Sequence, residues 1–172
     1  MDGIIRIPSA LGELTLRPER DDDQAFRYQL FCQSRPPEWD MVQIDPQVRE
    51  ALMRHQFEAQ TKGYLTQFPK ARFDIIELGG ERIGRIVVDR PGNELHIVDQ
   101  AIVPHMRSKG LGTTMMRVLM DEAASANIPV RLTVASTNDP SLRLYLRLGF
   151  VETNAIPMYV EMLWKAPSPG SA

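Results

Sequence analysis

Residues Arg107-Ser108-Lys109-Gly110-Leu111-Gly112-Thr113 follow closely on an apolar stretch ending at Val103, and they open a segment of helical spacing. A strand, a glycine-bearing loop and a helix, in that order, suit the grip of a pyrophosphate. Glycine lets the backbone approach the anion, and the first free amides of the helix point at it with the positive end of the dipole behind them. Arg107 and Lys109 put cationic charge at the mouth of this loop, facing either phosphate or solvent. Upstream, His96 and Asp99 interrupt the apolar run of Leu95, Ile97 and Val98, where an ionisable side chain needs a reason. Either could take a proton from a substrate. Period-2 alternation sends them to opposite faces of a strand unless a bulge intervenes, so one of them at most faces a given ligand.

The elements that must position these groups come from the periodicity. Leu14–Arg17 reads as an opening strand, and the acidic run Asp21-Asp22-Asp23 stands where a helix start favours carboxylates. Phe26, Leu30 and Phe31 then predict a helix over Asp23–Gln33, with the aspartates structural rather than metal-binding. A second helix is expected from about Pro46 to Lys62. Phe73–Leu78, Glu81–Asp89 and Glu94–Val103 follow as strands joined by Gly79-Gly80 and Pro91-Gly92-Asn93, an antiparallel meander. Leu111, Met115, Val118, Leu119 and Ala123 define a helix over Gly110–Asn127, which a right-handed crossover leads into the strand Val130–Ala135, parallel to Glu94–Val103. Asp139-Pro140 reads as the N-cap and first residue of a helix ending at Gly149, and Met158–Trp164 as the last strand.

Strand, Arg-x-x-Gly-x-Gly, helix, strand, then Asn-x-x-Ser-x-x-x-Tyr-x-x-x-Gly-Phe resembles the GNAT superfamily of acyl-CoA-dependent N-acyltransferases. Arg107, Gly110 and Gly112 meet the first motif; Asn138, Tyr145, Gly149 and Phe150 meet the second. Together with Leu16-Arg17-Pro18 and its acidic run, the likeness covers about Leu14 to Lys165. It implies an α+β fold: a mixed, mostly antiparallel sheet flanked by α-helices, with a β-α-β crossover carrying the pyrophosphate loop. The cosubstrate it implies is acetyl-CoA, and the reaction is direct transfer of the acetyl group to a small-molecule or peptide amine.

In that family the strand before the loop bulges away from its parallel neighbour, and its backbone bonds the pantetheine arm like an added strand. Here those positions are about Gln100, Ile102 and Val103, with an amide near Ile102 polarising the thioester carbonyl. Ser108, Lys109, Gly110, Leu111, Gly112 and Thr113 form the pyrophosphate loop behind Arg107. Tyr145 is the expected acid for the leaving thiolate; the plainer reading is a core tyrosine beside Leu142 and Leu148. Asn138 either bonds the pantetheine or caps its helix. Many relatives carry a glutamate base on the fourth or fifth strand, but the fifth-strand stretch Leu132-Thr133-Val134-Ala135 has no acid. That leaves Asp99, His96 or ordered water as the base. The missing acid also admits another class, a catalytically silent acyl-CoA sensor or interaction module on the same fold.

Other classes find little support. A chain of 172 residues suits a single domain, expected over 1–165, with a flexible tail at 166–172. A net charge of −2 with scattered arginines offers no footprint for nucleic acid. Cys32 is the sole cysteine, so no intramolecular disulfide can form, and it reads as a small packed hydrophobe. No signal peptide and no long apolar run is evident, so the expectation is a cytoplasmic protein without a membrane span. His55, His96 and His105 show no metal-ligand spacing. The loop lacks both a Walker Gly-Lys-Ser/Thr and the third glycine of a dinucleotide fingerprint. A homodimer is a family-level expectation only.

Overall fold

The computed structural model describes residues 3–168, so residues 169–172 of the expected tail lie outside the described residues. Among those described, eight strands and four α-helices make an α+β fold with a mixed, largely antiparallel sheet. In chain order these are β1 (Ile5–Ser9), β2 (Gly12–Pro18), α1 (Gln24–Gln33), α2 (Pro46–Gln67), β3 (Arg72–Leu78), β4 (Glu81–Asp89), β5 (Leu95–Ile102), α3 (Leu111–Ser125), β6 (Val130–Ala135), α4 (Asp139–Arg147), β7 (Val151–Ile156) and β8 (Tyr159–Trp164). Three departures from expectation stand out. β1 and β7 are additional strands, and α2 runs on to Gln67 rather than stopping at Lys62, because Gly63 weakens a helix without ending it.

The contacts divide the chain into two compact units. The first runs up to Val87 and takes in Asp99–Arg107; the second takes Val88–Val98 and the chain from Ser108 onward.

In the first unit the strand order is β1-β2-β3-β4 followed by the second half of β5. β2 pairs antiparallel with both neighbours; Leu14 and Leu16 share a buried face with Ile76, while the adjacent Ile75 stands opposite Arg17 on the other face. Of the acidic run, Asp21 and Asp22 are exposed, and Asp23 has a structural role, though not as a side-chain cap of α1. Asp23 is fully buried and accepts two 2.8 Å hydrogen bonds from the Arg17 guanidinium and one from the Arg20 amide. Arg17 also reaches Glu77 Oε1 on β3 at 2.7 Å, so one buried cation ties the end of β2 to the start of α1 and to the next strand. The Arg17 guanidinium holds the Asp23 carboxyl below the usual carboxylate range.

In the second unit the first half of β5 is followed by β6, β8 and β7. The β5–β6 ladder is parallel and pairs Leu95–Ile97 with Val130–Leu132; β8 runs antiparallel to both β6 and β7. Helix α3 buries Leu111, Met115, Met116, Leu119 and Ala123, and these methionines are core, as their spacing suggests. It ends in a left-handed Asn127 (φ 53°), with the amides of Asn127 and Ile128 returning to the carbonyls of Ala124 and Ala123.

Candidate active site

The loop before α3 has the geometry of an anion cradle. Gly110 occupies the N-cap with φ 81° and ψ 3°, and Ser108 is also left-handed at φ 58°. Left-handed residues alternating in a short loop turn successive amides toward one side. No side chain caps α3, and its first turn carries no acid. A Cβ built on Gly110 would meet nothing within 4 Å, so glycine is required there for its backbone angle while the space beside it stays open. Thr114 bonds back to the Gly110 carbonyl through its amide and its hydroxyl, both at 3.0 Å, and the buried Leu111 anchors the first turn. Ser108 and Lys109 are exposed, Gly112 and Thr113 half-buried.

Arg107 behaves differently from a simple phosphate ligand. Its Nε donates to the Ile102 carbonyl at 2.8 Å and its Nη2 to the Gln33 carbonyl at 3.2 Å. Two of its donor nitrogens are therefore committed to backbone, fastening the entry of the loop to β5 and to the last residue of α1.

β5 changes phase along its length. Leu95 and Ile97 are buried, and the next buried position is Ile102, an odd number of residues on. A shift of that kind is what an inserted bulge residue produces. Gly84 on β4 shows how closely this segment is approached: a Cβ there would lie 2.5 Å from the Ala101 carbonyl oxygen. Sequence reasoning passed over Gly84, although a glycine inside a strand signals close backbone approach. The Val103 amide donates to the Ile83 carbonyl at 2.8 Å and its carbonyl accepts from the Met106 amide at 3.0 Å, so a second lone pair on that carbonyl is what it can offer a ligand. Gln100 is half-buried between Asp99 and Ala101.

Asp99 belongs to the first unit and His96 to the second. Burial pushes the Asp99 carboxyl up, against the pull of the Arg85 guanidinium, whose Nη1 stands 3.4 Å from Oδ2. His96 lies within the parallel ladder opposite Arg131, which bonds Glu94 and Glu161. Burial pushes its imidazole down, in favour of the neutral form.

Tyr145 and the Gly149-Phe150 pair prove to be one device. The Gly149 amide donates to the Leu146 carbonyl at 3.1 Å and the Phe150 amide to the Tyr145 carbonyl at 3.0 Å, with Gly149 left-handed at φ 94°. This double return ends α4 and brings the Phe150 ring to 5.7 Å from the Tyr145 ring. Phe150 is buried to 1%, so a core residue grips the half-buried tyrosine from behind. At the other end, Asn138 rather than Asp139 is the N-cap. Its Oδ1 accepts from the Ser141 amide at 3.3 Å, and Asp139 is the first helical residue. The capping reading of Asn138 is thus the one its side chain displays. Asp139 was expected because either side chain can cap; the chain turns one residue earlier.

The model of the family described as Acetyltransferase (GNAT) family matches residues 28–150, well over half of the chain. The chain belongs to the GNAT acetyltransferase family. No curated protein matches its sequence. Its fold is shared with solved acetyltransferases of low identity. The PaiA N-acetyltransferase from Thermoplasma acidophilum, solved in complex with coenzyme A, superposes with a TM-score of 0.67 at 14% identity, covering 89% of this chain and 99% of that one. Mycobacterium smegmatis RimJ, in complex with CoA-disulfide, gives 0.63 at 17% identity, with 95% and 87% covered. The Escherichia coli ribosomal-protein-S18-alanine N-acetyltransferase gives 0.60 at 15% identity, with 92% and 97% covered. At such identities the likeness speaks for the fold. Within this GNAT protein, Arg85 and Glu19 join the candidate site unforeseen. They read in sequence as surface charges, and only the distant pairing of Glu19 with a strand residue reveals them.

Proposed function

We propose that this GNAT protein transfers the acetyl group of acetyl-CoA to a primary amine by direct attack. The observation that carries the reading is the start of α3: uncapped, free of acids in its first turn, and opened by a left-handed Gly110 with space beside it. Amides of Ser108–Thr113 would hold the pyrophosphate, with Lys109 adding charge and Arg107 bracing the loop. The backbone of Gln100, Ile102 and Val103 would receive the pantetheine arm, the Ile102 amide donating to the thioester oxygen as it becomes an oxyanion. Asn138 would serve by capping α4 behind Tyr145.

The acceptor arrives mostly as an ammonium and must lose a proton before it can attack. Asp99 takes that proton, and the freed lone pair bonds to the thioester carbon. As the tetrahedral intermediate collapses, the C–S electron pair leaves with sulfur, which takes the Tyr145 hydroxyl proton. Loss of the second nitrogen proton and reprotonation of Tyr145, both by way of solvent, complete the amide and the thiol. His96 is set aside as base because it lies inside the parallel ladder.

Calorimetric titration with acetyl-CoA, CoA and ATP, followed by thiol release against a panel of amines, tests the proposal. Acetyl-CoA binding without ATP binding, and thiol release with at least one amine, are the expected results. Binding with no thiol release from any amine would favour the silent sensor. Failure to bind CoA at all would remove the cofactor assignment.

A further inference from the structure

Arg85 lies in β4 with its side chain only 7% exposed, and a guanidinium so placed needs partners to remain charged at tolerable cost. Its Nε donates to Glu19 Oε1, its Nη1 reaches Asp99 Oδ2 at 3.4 Å, and the Phe73 and Tyr64 rings stand 5.7 and 6.0 Å from its centre. Glu19 is held from its other oxygen by Arg27 of α1 at 3.2 Å. The charges therefore alternate along a line, Arg27, Glu19, Arg85, Asp99. Its last member is the most open to solvent, at 27% against 16% for Arg27 and 14% for Glu19. A substrate meeting this line would meet it at Asp99.

We propose that Arg85 is a positioning residue for proton removal: clamped by Glu19 and two aromatic rings, it fixes Asp99 Oδ2 and its negative charge where the acceptor amine gives up its proton. The inference rests on the acetyl-transfer reading above and on Asp99 as its base. The step itself is one proton passing from the ammonium nitrogen to Asp99, the N–H pair staying on nitrogen. The charged groups acting on Asp99 are Arg85 from β4 and Glu19 from the link between β2 and α1, with Arg27 of α1 acting through Glu19. Burial raises the carboxyl, Arg85 and the Gln100 amide lower it, and Glu19 raises it.

These opposite signs separate charge positioning from mere packing. A base must be ionised to work, so the acidic limb of kcat/KM follows the Asp99 carboxyl. Arg85→Gln leaves burial less opposed and should move that limb to higher pH by about one unit. Glu19→Gln removes an upward push and should move it to lower pH by roughly a few tenths of a unit. Arg85→Lys, which keeps the charge, should hold the limb near its wild-type position; if Arg85→Gln does not fold, this variant and Glu19→Gln carry the test. A purely structural Arg85 would lower kcat in both glutamine variants while leaving the limb in place, and that result, or shifts of the same sign, overturns the proposal. The 13C titration of the Asp99 carboxyl, assigned with Asp99→Asn, reads the same displacements without turnover. A lack of any accepted amine would thus sink the acetyl-transfer reading, while opposite displacements in the NMR titration would still uphold the Arg85–Asp99 coupling and shifts of one sign would overturn it.

Discussion

Replacing Gly84 with alanine sets one methyl group against the backbone of β5. The new Cβ would stand 2.5 Å from the Ala101 carbonyl oxygen, 2.9 Å from Ile102 Cδ1 and 3.2 Å from Ile76 Cδ1. Comfortable non-bonded separations begin near about 3.5 Å, so the first contact falls short by roughly 1 Å. The two isoleucine tips can swing aside. The carbonyl cannot, because it belongs to the strand, and relief requires β5 itself to move at Ala101–Ile102. Overpacking of this kind costs about 1–3 kcal/mol. In a chain of this length each 1 kcal/mol lowers Tm by about 2–4 °C, so a fall of about 4–8 °C is expected for a mid-range cost. Acetyl-CoA affinity should fall with it, since the displaced backbone includes the proposed oxyanion donor. Gly63→Ala is the control: in α2, with nothing within 4 Å of its Cβ, it should raise stability by about 0.5–1 kcal/mol. Scanning calorimetry and acetyl-CoA titration of both variants decide the matter. A Gly84→Ala protein melting within about 1 °C of wild type, at undiminished affinity, would refute the reasoning.

Other perturbations reach separate parts of the molecule. Gly110→Asp places a carboxylate at the loop and strains a φ of 81°; CoA binding should vanish in calorimetry, and retained affinity would end the loop assignment. Tyr145→Phe should lower turnover with little change in acetyl-CoA affinity, whereas wild-type turnover would remove Tyr145 as the acid. Asp23→Asn takes from the buried Arg17 one of its two carboxylate partners, leaving Glu77, and should destabilise the fold by about 3 kcal/mol in urea melts; a loss near zero would contradict the buried pair. Because Asp23 titrates below its unfolded value of 3.8, its stabilisation is complete above that pH and disappears as pH falls through the lower folded value. Wild type should therefore lose stability more steeply than Asp23→Asn below about pH 4.

The β5–α3–β6 crossover was legible because the period changes from 2 to 3.6 and back, with glycine and proline marking the joints. β6 falls on the expected Val130–Ala135, and β5 within one residue of its expected ends. β7 was not legible: all six of its residues are exposed, so no apolar alternation betrays it, and its pairing with β8 alone makes it a strand. β1 hides for a similar reason, with Ile7 its only buried residue and Pro8 beside it. The acidic run before α1 could be read as structural, yet Arg17, the partner of Asp23, could not be told from a surface arginine. Distance along the chain obscured the rest: Arg107 finds the Gln33 carbonyl 74 residues away, and Arg85 finds Glu19 66 residues away. Local pattern has no access to such pairings.

The bare start of α3 also bears on how long the protein survives. A serine or aspartate cap typically contributes about 1 kcal/mol to a helix, and this one forgoes it. An anion seated there would restore that contribution and more, since a ligand at a hundred times its dissociation constant adds about 2.7 kcal/mol to the folded state. Stability would then follow the supply of acyl donor. With the donor scarce, a larger fraction of molecules would open and meet proteases; with it plentiful, the same chain would persist, so its abundance would register the donor's supply.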